Sequence, residues 1–157
     1  MIPVAILLIL SLDQLSKFLI TKNLSLGQSI PIIKGVFHLT LVHNRGAAFG
    51  LLKNQLPLFI CVSVFAIALI FLNLKKPQAK YPHTFRKSRT CKGVGVYRIA
   101  LALILSGAIG NLIDRLVFGY VIDFLDFRIW PVFNLADSAI TAGAVLLGWS
   151  ILREDNR

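Results

Sequence analysis

Four long apolar stretches dominate the pattern of this chain, at about residues 2–20, 56–74, 97–116 and 134–152. Each is long enough to cross the hydrocarbon core of a bilayer, which takes a helix of about 20 residues. The first has no basic start and no small-residue cleavage site, and it carries a charged pair, so it is expected to remain as a helix rather than leave as a signal peptide. The intervals differ from one another. Residues 23–55 include IKGVFHLTLVHNRGAAFGL, where short alternation around Phe37, Leu39 and Leu41 gives way to a glycine-rich run. That pattern predicts a small strand-containing platform resting on the outer leaflet. The expected fold is therefore an all-α membrane protein with a small β element, a single domain over residues 1–157.

Charge orients the spans. Of 17 Lys and Arg, eight (Lys75, Lys76, Lys80, Arg86, Lys87, Arg89, Lys92 and Arg98) fall in one interval between the second and third spans, with no acid among them. Positive charge collects in cytoplasmic loops, so this interval is placed inside, together with both termini, and residues 23–55 and 117–133 outside. The formal charge of +10 thus reads as topology with some affinity for anionic membrane lipids, not as nucleic-acid binding. Cys61 and Cys91 fall too far apart for a disulfide, and with His38, His43 and His83 they form no metal-binding pattern, so neither metal nor cofactor is expected.

Only seven acids are present; two lie in the C-terminal tail, and the other five (Asp13, Asp114, Asp123, Asp126 and Asp137) are set in or beside apolar sequence. Charge there is expensive and needs a partner or a function. Asp13 and Lys17 stand four apart, acid first, and are expected to pair. In the third span Gly107, Asn111 and Asp114 make a small and polar stripe, beside the small pair Ser106 and Gly110; it predicts close helix packing, an Asp114–Arg115 ion pair, and a face bordering a polar cavity. Asn134, Asp137, Ser138 and Thr141 share one face of the fourth span, where Asp137 serves either as an N-terminal cap or in chemistry.

Two facing carboxylates sharing one proton can hydrolyse a peptide bond, one activating water while the other polarises the carbonyl. No GxSxG or GxGD motif offers another nucleophile or dyad. Asp137 is one expected member, and its partner is Asp114, Asp123 or Asp126. Asp114 is disfavoured beside Arg115, and the spacing of Asp123 and Asp126, which at most one helical turn could present together, does not separate them. A proton-coupled transporter would spread its acids through the membrane's depth, whereas here all five lie toward one side. A non-enzymatic scaffold would tolerate Asp123→Asn and Asp137→Asn.

Five segments, DQLSK (13–17), NRGAAFG (44–50), GNLIDR (110–115), VIDF (121–124) and FNLAD (133–137), resemble in type, order and spacing the motifs of bacterial lipoprotein signal peptidase, or signal peptidase II, a family of membrane aspartic peptidases. The resemblance covers nearly the whole chain. It implies that Asp123 and Asp137 are catalytic and that Asp126 is a bystander. It further implies that Asn44, Asn111, Arg115 and Asn134 bind substrate or line the site, and that Asp13, Lys17 and Asp114 are structural. The implied substrate is a diacylglyceryl-modified prolipoprotein, cut on the amino side of the lipidated cysteine. The implied setting is the bacterial inner membrane, with the site on the extracytoplasmic side of a monomer.

Overall fold

A computed structural model describes residues 2–46, 55–75 and 92–155. Most of the basic interval, and the glycine-rich run beyond Gly46, lie outside the described residues. Four helices match the four apolar stretches: α1 (Ile2–Asn23), α2 (Leu56–Lys75), α3 (Lys92–Phe118) and α4 (Leu135–Asp155). All four contain a span long and apolar enough to cross a membrane. α3 begins five residues earlier than hydropathy places it, because Lys92 and Arg98 end the apolar run without opposing helix formation. It ends at Gly119, whose φ of 77° is open to glycine and whose N–H donates to the Arg115 carbonyl at 3.1 Å.

Burial is inverted relative to a water-soluble bundle. α2 buries no residue, and large apolar side chains along α1 (Leu7, Leu15), α2 (Phe65, Leu72) and α4 (Val145, Trp149) are exposed. The buried positions of α1 are the charged Asp13 and Lys17. Such a surface suits hydrocarbon, with polar groups satisfied inside the bundle.

α3 is the central helix, and 44% of its apolar window is buried, the largest share among the four spans. Glycines let it approach α4 closely. A Cβ on Gly107 would collide with the Ala136 carbonyl oxygen and come within 2.7 Å of Ile140, and one on Gly143 would lie 2.7 Å from the Ala100 carbonyl. Gly110 opens toward α1, where a Cβ would stand 2.6 Å from the Asp13 carboxylate.

The platform is a three-stranded antiparallel sheet in the order β1 (Ser29–Ile33), β2 (Phe37–Asn44), β3 (Val121–Asp126). The β1–β2 hairpin follows the alternation around Phe37. β3 was not expected, because both of its faces are covered and the period-two signal is erased: five of its six residues are buried. Its presence corrects the one-turn helical reading of Asp123 and Asp126. Three residues apart on a strand, they point to opposite faces, Asp123 opposite Val42 and Asp126 opposite His38. A small apolar core of Leu24, Leu41 and Ile122 holds the sheet against the end of α1.

Candidate active site

α4 begins with a reciprocal cap. The Asn134 side-chain oxygen accepts the Asp137 N–H at 2.9 Å, and an Asp137 carboxylate oxygen accepts the Asn134 N–H at 3.4 Å. This capping box fixes Asp137 in the first helical turn. The capping reading of Asp137 is thereby met, and the cap leaves its carboxylate able to accept from Asn111 as well. The N-x-x-D spacing carries this signal in the sequence.

The Asn134 side-chain amide also donates 2.7 Å to Asp123 on β3, so one asparagine touches both acids. The second Asp123 oxygen accepts from Asn44 of β2 at 2.9 Å. Asp137 accepts from Asn111 of α3 at 2.7 Å, and the Asn111 oxygen accepts from Asn134 at 3.1 Å and from the Lys17 ammonium at 3.2 Å. Three asparagines, drawn from a strand, a helix and a helix cap, thus hold the two carboxylates, and Asn111 and Asn134 link one to the other. Arg115 stands half-buried within electrostatic reach of Asp137, Asp123 and Asp114, its guanidinium 5.1 Å above the Phe59 ring.

Asp123 is almost wholly enclosed, 1% exposed. Burial, reinforced by the charge of Asp137, pushes its carboxyl up from 3.8 to about 7 against the opposing hydrogen bonds of Asn44 and Asn134. It can therefore hold a proton near neutral pH. Asp137 lies in the first turn of α4, where the Asn134 N–H and the Asn111 amide donate to its carboxylate.

Beneath this pair lies a charged brace. Lys17 bridges Asp13 and Asp114, at 2.8 Å to each. Asp13 also caps α4 from another helix, accepting the Ala136 N–H at 2.9 Å. Asp114 accepts the Ile122 N–H of β3 at 3.1 Å. The brace corrects the expected Asp114–Arg115 pair: adjacent residues on a helix diverge by about 100°, and Asp114 turns to Lys17 while Arg115 turns to Phe59. Gln14, which donates to Asp114 at 3.1 Å and Asp13 at 3.2 Å, was missed; an uncharged residue a hundred positions from its partner left no signal.

Asp126 is not brought to the pair. It faces Thr40 and Arg128 on the other side of the sheet.

The sequence profile of Signal peptidase (SPase) II matches residues 5–153. The chain belongs to that family. Relatives named lipoprotein signal peptidase include those of Moorella thermoacetica, 49% identical over 93% of this chain and 89% of that protein, and Halothermothrix orenii, 46% identical over 94% and 92%. Two solved bacterial membrane enzymes share the fold. One, 26% identical, has a TM-score of 0.81 over 98% of this chain and 88% of its own; the other, 27% identical, has 0.77 over 96% and 92%. The five motifs thus identified the family correctly. As a signal peptidase II family member the chain is a peptidase and a multi-pass membrane protein, and its two bridged carboxylates stand where its membrane helices meet its sheet.

Proposed function

We propose that Asp123 and Asp137 form the dyad of an aspartic endopeptidase that removes signal peptides from diacylglyceryl-modified prolipoproteins, on the amino side of the lipidated cysteine. The observation that carries this reading is the Asn134 side chain, which accepts from the Asp137 N–H and donates to Asp123, holding a buried acid beside a half-buried one at a membrane boundary.

At rest Asp123 carries the shared proton and Asp137 is ionised. Asp137 removes a proton from water as the oxygen attacks the scissile carbonyl carbon, while Asp123 donates to the carbonyl oxygen. The tetrahedral diol then collapses: Asp123 recovers a proton from a hydroxyl, and Asp137 passes its proton to the departing nitrogen. The C–N bond breaks, giving a free carboxyl on the signal peptide and a free amine on the lipidated cysteine. Asn44 and Arg115 engage the incoming peptide, and Asn111 and Asn134 keep the acids in register. The acyl chains enter laterally among exposed apolar helix faces.

In this reading both termini lie in the cytoplasm and the sheet lies on the extracytoplasmic side of the bacterial inner membrane. One chain supplies both acids, which supports a monomeric enzyme. The test is cleavage of a diacylglyceryl-modified precursor by purified protein in lipid. Asp123→Asn and Asp137→Asn should each lose at least about 10²-fold in rate, whereas Asp126→Asn should retain substantial turnover. Undiminished cleavage by either dyad variant would overturn the assignment.

A further inference from the structure

The turn at residues 127–130 has no part in the proposed chemistry, yet it is firmly built. Arg128 lies in the left-handed region at φ 66°, where a side chain is disfavoured and persists only if its surroundings fix it. Asp126 fixes it. One carboxylate oxygen accepts the Arg128 N–H at 2.9 Å; the other accepts the Arg128 guanidinium at 3.1 Å and the Thr40 hydroxyl at 2.8 Å. Thr40 shares a 2.8 Å hydrogen bond with Ser29, so the clasp runs across all three strands. At the base of the turn the Phe127 ring lies 4.9 Å from Phe37 and 5.9 Å from Phe133.

This ordered turn displays apolar groups. Ile129 is 94% exposed and Trp130 61%, and across Phe37 the hairpin turn exposes Ile33 and Val36 around Lys34. None of these residues belongs to a membrane-spanning helix. Strain spent on presenting large apolar side chains to water would be unfavourable twice over, since such patches on soluble surfaces are ordinarily covered. The strain and the exposure agree if the patch faces lipid. Tryptophan and aliphatic groups beside cations match the headgroup boundary of a bilayer, where indole sits at the glycerol level and Lys34 and Arg128 meet phosphate.

We propose that Ile129 and Trp130 form an interfacial wedge that inserts among the phospholipid headgroups of the adjoining leaflet, and that Asp126 is the positioning residue that holds it. The wedge sets the depth of the sheet in the bilayer, and with it the height at which the site meets a lipid-anchored peptide. The lipid contact stands independently of the catalytic assignment and is read by quenching without turnover, whereas its effect on KM rests on the proposed function.

Trp149→Phe leaves Trp130 as the sole tryptophan. In vesicles of phosphatidylethanolamine and phosphatidylglycerol brominated at graded acyl positions, shallow bromines should quench Trp130 more than deep ones, and aqueous acrylamide should quench it weakly. Asp126→Asn in the same background should raise acrylamide quenching while the protein stays folded. Ile129→Ser with Trp130→Ser should raise KM for a vesicle-borne precursor about tenfold with kcat kept. Acrylamide quenching equal to that of free tryptophan with no response to bromine would overturn the wedge. So would emission that responds only to added precursor, which would make the partner a peptide.

Discussion

Asp123 and Asp137 are the same side chain held on different elements, a strand and the first turn of a helix. Asp137 sits at a helix N-terminus with amide donors that favour its charge, whereas Asp123 is enclosed on a strand and pushed up to about 7 by burial and by Asp137. The sign for activity follows. Asp123 is protonated below about 7, so cleavage that needs its proton should fall as pH rises through that value in a pH–rate profile taken in lipid. Stability carries the same sign. The unfolded carboxyl ionises near 3.8 and the folded one near 7, so the native state holds the proton more tightly, and Asp123's contribution is complete below 3.8 and declines up to 7. Melting temperatures across that window should slope downward, and Asp123→Asn should flatten the slope while abolishing cleavage.

At the scale of elements, the start of α4 and the proposed catalytic pair are one construction. Asn134→Ser separates its two duties: serine still accepts the Asp137 N–H as a cap but offers no donor positioned like the amide that reaches Asp123. Stability should fall by only about 1–3 kcal/mol for the buried acceptors the amide leaves unpaired, while turnover falls by about 10²-fold. The α3–α4 crossing gives a second contrast. Gly107→Ala forces a methyl against the Ala136 carbonyl, beside Asp137, and should cost about 1–3 kcal/mol along with most activity. Gly148→Ala meets no atom within 4 Å and should stabilise α4 by up to about 1 kcal/mol, as chemical denaturation of both variants would register. The close glycine approach was legible as a small and polar stripe, as were the spans themselves, because lipid demands apolar length. β3 was not, since a strand covered on both faces carries no alternation. Without β3, nothing local distinguishes Asp123 from Asp126.

At the scale of the whole molecule, polar groups are gathered where three helices and a sheet converge, and apolar groups are turned outward. Lys17 is the pivot, its one charge shared by Asp13, Asp114 and Asn111. Lys17→Met leaves two buried carboxylates without their cation and should destabilise the protein by about 3–5 kcal/mol. The exposed Lys22→Met should change melting little in the same assay. The Asp13–Lys17 half of this brace was readable from a four-residue spacing on one helix. Its other half joins residues about a hundred positions apart and depends on how α1 meets α3, which periodicity does not encode.

Synthesis proceeds from the N-terminus, so α1 enters the membrane before Asp114 or α4 has been made. Its own Asp13–Lys17 contact of 2.8 Å makes it a self-neutralised segment during that interval. When α3 arrives, Asp114 joins a lysine already in place; when α4 arrives, the Asp13 carboxylate receives its first turn through the Ala136 N–H. The ion pair that braces the finished enzyme thereby also lets its first helix wait in the bilayer for the rest of the chain.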